Sequence, residues 1–170
     1  TNVNDAPVIT SNGGATTAAV NVAENSTAVT TVTSTDVDAS ATATYSIIGG
    51  ADASKFTIDA STGVLSFVSA PDFENKLDAG SNNIYDVTVQ VSDGLGGSDT
   101  QAIAVTVTNV NEAPVITSNG GGATATPISV SENSTTATTV TSTDVDASAT
   151  ATYSIVGGAD ASKFTIDAST

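Results

Sequence analysis

Apolar and polar residues alternate along most of this chain. Tyr85, Val87, Val89 and Val91 are interleaved with Asp86, Thr88 and Gln90, and Ile103, Val105 and Val107 with Ala104, Thr106 and Thr108. A period of two puts one set of side chains on each face of an extended strand. Residues 55–59 and 64–68 read as two more strands, closed into a hairpin by the turn Ala60-Ser61-Thr62-Gly63. Short strands also fit residues 8–10, 19–22, 29–34 and 44–48. Gly, Asn, Asp and Pro punctuate the gaps, as turn chemistry requires. No segment carries helical periodicity. The expectation is an all-β fold of about seven strands, an antiparallel Greek-key β-sandwich.

That pattern occurs more than once. Residues 33–62 and 141–170 are identical except that Ile48 is replaced by Val156. NVNDAPVITSNGG at 2–14 returns as NVNEAPVITSNGG at 109–121, and AENS at 23–26 returns as SENS at 131–134. Internal repetition with a period of roughly 100 residues matches one sandwich domain per copy. The organisation expected is a complete repeat at 1–108 and the N-terminal part of a second at 109–170. The second copy stops at Thr170, which matches Thr62 inside the hairpin turn. The segment therefore reads as a window on a longer run of repeats, its remaining strands supplied by continuing chain or by a neighbour.

Composition narrows the chemistry. Among 170 residues there is no Cys, His, Met or Trp, and Lys55, Lys76 and Lys163 face eighteen carboxylates, for a formal charge of −15. Basic patches for nucleic acid or anionic lipid are excluded. Thiolate and imidazole chemistry is excluded as well, and no Ser has a base to activate it. No run of about 20 apolar residues could cross a membrane, and no leader of the signal-peptide type opens the segment. The reading is of a chain that is not an enzyme.

The carboxylates gather in short motifs where strands begin or end: Asn2-Val3-Asn4-Asp5, Glu24-Asn25, Asp36-Val37-Asp38, Asp72-Phe73-Glu74 and Ser92-Asp93-Gly94. Ca2+ takes six to eight hard oxygen ligands from carboxylates, Asn side chains and backbone carbonyls. Loops rich in those groups and devoid of soft ligands suit Ca2+ rather than zinc or copper. Surface acids can also serve solubility alone. Five motifs in fixed order favour the cation, because carboxylates about 5 Å apart repel by a few kcal/mol at an effective dielectric near 20.

In order, NVNDAP (2–7), VAEN (22–25), STDVDA (34–39), TYSIIGG (44–50), FTIDASTGVLSF (56–67), PDFE (71–74) and VQVSDG (89–94) make the chain resemble the cadherin domains. The likeness is to the calcium-binding, cadherin-like tandem repeats of large bacterial surface adhesins. It covers the first copy and all that is present of the second. The resemblance implies a cadherin/immunoglobulin-like sandwich with calcium ions between consecutive domains. Carried over by motif, the ligands of one junction are Glu24, Asp72 and Glu74, the linker residues Asn109, Asn111 and Glu112, and Asp144 and Asp146. Asn2, Asn4, Asp5, Asp36, Asp38 and Asp93 would form the receiving half of a preceding site, and Glu132 would donate to a following one. Asn2 and Asn109 stand where the family has Asp, and Ala6 and Ala113 where an Asn follows, which leaves the ion count at two or three per junction.

The function this implies is a calcium-rigidified structural repeat of an extracellular adhesin stalk or surface fibre, secreted or at the cell surface. Its partners would be adjacent repeats of the same chain or neighbouring copies in the fibre. The alternatives are a cell-adhesion module that binds a partner or carbohydrate directly, and an accessory domain of a secreted enzyme. Near-identical copies favour the spacer, which needs length and no individuality. Asn25-Ser26-Thr27 and Asn133-Ser134-Thr135 match a glycosylation acceptor by a short motif only. The Thr-rich runs fit half-exposed strands, and Tyr45, Phe56, Phe67, Phe73 and Tyr85 fit the core.

Overall fold

The computed structural model describes residues 3–38, 41–123 and 126–169. It divides into two compact units, Thr1–Val110 and Asn111–Thr170.

The first unit is the sandwich. Its strands are β1 (Val8–Ile9), β2 (Thr17–Ala23), β3 (Ala28–Thr31), β4 (Ser34–Thr35), β5 (Thr44–Gly49), β6 (Phe56–Ile58), β7 (Val64–Phe67), β8 (Ile84–Ser92) and β9 (Ser98–Thr108). One sheet runs β2-β9-β8-β5, a second β3-β7-β6, and β1 pairs with β4. The alternation in β8 and β9 is used as the pattern requires. Tyr85, Val87, Val89 and Val91 are buried together with Ile103, Val105 and Val107. Leu65 and Phe67 of β7 and Phe56 of β6 face them from the other sheet. Three aromatic rings join the layers: Phe56 stacks on Phe67 at 4.6 Å, and Phe67 meets the edge of Tyr85 at 5.2 Å.

Two details differ from the pattern. The stretch 29–34 is not one strand: β3 pairs with β7, whereas β4 pairs with β1. Between them Val32 donates its N–H to Gly63 at 2.8 Å and Thr33 accepts from Thr10 at 2.9 Å, so the chain changes neighbours there. The pairing is antiparallel except that β2 lies parallel to β9, Thr17 opposite Ala102 and Ala23 opposite Thr108. That register carries Glu24, the next residue, to the C-terminal end of β9.

The second unit contains β10 (Val115–Ile116) paired with β11 (Ser142–Thr143), and 3-10 turns at Ser118–Gly120 and Ala161–Lys163.

Candidate metal centre

The longest hairpin, β8–β9, sets where the acidic motifs fall. Ser92 lies opposite Ser98 beside its turn, and Ile84 opposite Thr106 at its open end. Eight steps along β9, from Ser98 to Thr106, separate the two ends by roughly 27 Å. One group of candidate ligands sits at each.

At the open end, Glu24 is fixed by its backbone. Its N–H donates to the Thr108 carbonyl at 3.0 Å, and that of Asn25 donates to Pro71 at 2.9 Å, which brings the loop after β7 alongside. The Glu24 side chain is only 4% exposed. Its Oε2 accepts the Phe73 N–H at 2.9 Å and its Oε1 the Val110 N–H at 2.8 Å. Asp72 and Glu74, on either side of Phe73, are exposed. Carboxylate oxygens of Glu24, Asp72 and Glu74 lie within 4.8 Å of one another. At that spacing each ionised pair repels by about 3 kcal/mol at an effective dielectric of about 20, less where water intervenes. Asn109, on the segment leaving β9, belongs to the same unit.

At the hairpin turn the acids are organised by hydrogen bonds. Asp5 donates its N–H to Asp38 Oδ2 at 2.7 Å, and Asp38 donates its own to Asp36 Oδ1 at 2.8 Å. Asn4 Nδ2 donates to Asp93 Oδ2 at 2.8 Å. That amide holds the Asp93 carboxyl below its ordinary value; burial opposes it, and the backbone N–H groups of Leu95 and Gly97 assist. Asp93 is thus kept as an ionised acceptor. Gly97 is required there, since a Cβ would run into Asp93 Oδ2 and stand 2.8 Å from the Ala6 Cα. Asp36 Oδ2 is buried with no hydrogen-bond donor. Asn2 lies outside the described residues.

The second unit repeats part of this pattern. Glu112 donates its N–H to Asp146 Oδ2 at 2.8 Å, and Asp146 donates to Asp144 Oδ1 at 3.0 Å. Asn111 Nδ2 donates instead to the Glu112 carbonyl at 2.7 Å. Glu132 sits on an exposed turn and joins no three-carboxylate group among the described residues.

Three buried polar residues that the motifs did not single out brace the sandwich. Asp52 accepts the N–H groups of Ala79 at 2.7 Å and Asp86 at 2.9 Å. Asp78 accepts those of Asn82 and Asn83; burial pushes its pKa up, but these donors outweigh it and hold the carboxyl below its ordinary value. Gln101 falls on the inward face of β9, so the alternation itself could have flagged it as a buried polar side chain. The two aspartates lie in or beside irregular loops, where no periodicity points inward.

A family model described as the cadherin domain matches residues 18–110. Among curated proteins, human Protocadherin Fat 1 is 30% identical over 137 residues, which is 79% of this chain and 3% of that protein. Among solved structures, extracellular cadherin domains 3–6 of Protocadherin Gamma B2 superpose with a TM-score of 0.54 at 28% identity, covering 68% of this chain and 28% of that one. Domains EC1-2 of human Protocadherin-24 give a TM-score of 0.51 at 23% identity, over 67% of this chain and 48% of that one. The chain therefore spans less than half the length of these relatives.

Proposed function

The chain belongs to the cadherin domain family, and on that footing we propose that it is a calcium-rigidified structural repeat of an extracellular stalk or surface fibre. The observation that carries this reading is the convergence of Glu24, Asp72 and Glu74 in a chain with three cations against eighteen carboxylates. Every donor in the acidic motifs is a hard oxygen, which fits Ca2+. The buried, donorless Asp36 Oδ2 is a second point of fit, since an ion would satisfy it.

The ligands proposed in the first unit are Glu24, Asp72, Glu74 and Asn109 at one end, and Asn4, Asp5, Asp36, Asp38 and Asp93 at the other, with Asn2 proposed from its motif alone. In the second unit they are Asn111, Glu112, Asp144 and Asp146, with Glu132 as a donor to a further site. Bound calcium would cancel the repulsion among these carboxylates and tie loops of different strands together. The module is read as non-catalytic, placed outside the cell, with other repeats of the same kind as its partners. Near-identity of 33–62 and 141–170 supports a spacer, and the likeness of the acidic motifs to the cadherin-like repeats of large bacterial adhesins is the ground for reading such an origin.

Thermal unfolding in calcium and in chelator tests the reading. Binding to the folded state alone adds about 2.7 kcal/mol at a hundredfold excess over Kd, so the midpoint rises clearly with calcium. An unchanged midpoint overturns the proposal.

A further inference from the structure

Phe73 lies between the two exposed candidate ligands, Asp72 and Glu74, and both of its backbone polar groups are engaged. Its N–H donates to Glu24 Oε2 at 2.9 Å, and its carbonyl accepts Asn83 Nδ2 at 2.8 Å. Asn83 is itself tightly held. It is 3% exposed and adopts a left-handed backbone with φ 63°. Its N–H donates to Asp78 Oδ1 at 3.0 Å, and its carbonyl accepts the Val107 N–H of β9 at 2.9 Å. A continuous line of hydrogen bonds thus runs from the buried strand β9 through Asn83 to Phe73 and on to Glu24.

We propose that Asn83 is a positioning residue for the calcium group, anchoring the Phe73 carbonyl so that Asp72 and Glu74 are presented beside Glu24. The inference rests on the calcium reading above and deepens it. Three requirements select Asn at this place: a side-chain donor aimed at a carbonyl, tolerance of positive φ, and no charge. Aspartate has the same shape but offers an oxygen to the carbonyl, and adds a negative charge under a loop that already carries two carboxylate ligands, Asp72 and Glu74, beside Glu24. The other end of the amide supports the same conclusion. Asn83 Oδ1 is buried without a hydrogen-bond partner, an arrangement that costs stability. It is tolerated where the nitrogen end has a task.

The test is calcium titration of the 170-residue chain by calorimetry, at a temperature where circular dichroism shows each variant folded. Asn83→Asp keeps the shape and Asn83→Gly keeps the backbone conformation; both are expected to weaken calcium binding about 10- to 100-fold, the usual effect of losing a residue that orients a metal ligand. Glu74→Gln should remove the same site, so Asn83→Asp added to Glu74→Gln should cost nothing further in calcium affinity. Asn12→Gly is the control. Asn12 also has positive φ and a held amide, bonded to Gln101 and Thr30, and its loss should lower the melting midpoint while leaving calcium affinity unchanged. If the parent chain binds no calcium, or Glu74→Gln changes nothing, the calcium reading falls and this inference with it. If Glu74→Gln weakens binding but the Asn83 variants do not, or weaken it no more than Asn12→Gly does, the positioning role alone is refuted.

Discussion

Residues 33–62 and 141–170 carry the same sequence but for one position, and they do not adopt the same structure. In the first unit the segment supplies β4, β5 and β6. Among the described residues of the second, β11 is the one strand that remains, with a 3-10 turn at Ala161–Lys163. Phe56 is 5% exposed and its counterpart Phe164 is 56% exposed. What persists is local: the 3-10 turn after Asp52 recurs after Asp160, and the Ser34–Tyr45 hydroxyl bond of 3.0 Å recurs at Ser142–Tyr153 as 3.1 Å. What disappears is non-local. β5 is zipped to β8, Tyr45 opposite Val91, and β6 to β7, Phe56 opposite Phe67. Nothing among the 170 residues matches 63–108 a second time. Gly50 shows the same contrast: a Cβ there would strike the Asp86 carbonyl oxygen, whereas at Gly158 it meets nothing within 4 Å. A strand in this family is a property of its partner as much as of its own residues.

The largest expected effect comes from truncating the same side chain in both places. Phe56→Ala removes a ring stacked on Phe67 and should cost about 3–5 kcal/mol. Phe164→Ala should stay within about 0.5 kcal/mol, as for an exposed site. Urea unfolding followed by tyrosine fluorescence measures both. Equal losses would mean that Phe164 is packed in solution and that the contrast between the units is false.

A middle-sized effect separates the two SNGG loops. Asn12 and Asn119 share a positive φ, 51° and 53°, but only the first is tied to a buried partner. Gln101, fully buried, donates to the carbonyls of Ala15 at 2.8 Å and Ser11 at 3.3 Å, and accepts from Asn12 Nδ2 at 3.2 Å. Gln101→Ala strands those groups, at a cost of about 1–3 kcal/mol. Amide exchange in residues 11–16 should then approach the rate of residues 118–123. Unchanged protection of 11–16 would show that the loop holds itself.

These contrasts explain what could be read from the residues. Alternation in β8 and β9 marked the core, because one face of each strand is apolar apart from Asp99 and Gln101 at the start of β9. It could not reveal that 29–34 breaks into β3 and β4, since the break comes from a change of neighbour and no Gly, Pro, Asn or Asp interrupts the run of Val, Thr and Ser there. The acidic motifs were legible as a class, and Glu24, Asp72 and Glu74 do converge. The braces beneath them were not. Asn83 sits in a Ser- and Asn-rich loop where composition says only that the chain turns. The single substitution between the long copies, Ile48 to Val156, falls at a register shift in β5, where Ile48 is 51% exposed and nothing constrains its shape.

The smallest effect should be common to both units, because it is confined to four residues. Asp59 Oδ1 accepts the Thr62 N–H at 2.8 Å, the Ser61 hydroxyl at 2.9 Å and the Ser61 N–H at 3.0 Å. In the second unit Asp167 Oδ1 accepts the Ser169 N–H at 2.8 Å and its hydroxyl at 2.7 Å. Led by the Thr62 N–H and then the Ser61 hydroxyl, these donors lower the Asp59 pKa from 3.8 to about 2. A folded-state pKa below the unfolded one means that the turn contributes fully above pH 3.8, and that this contribution is lost as pH falls through about 2. Carboxyl NMR should therefore place the Asp59 midpoint near 2. Ser61→Ala removes the hydroxyl donor and leaves the backbone ones, so the midpoint should move part of the way back toward 3.8. Ser169→Ala should weaken the matching turn without altering the fold of either unit. An Asp59 midpoint at the ordinary carboxylate value would mean that the turn bonds do not form in solution, and the local half of the comparison would then fail.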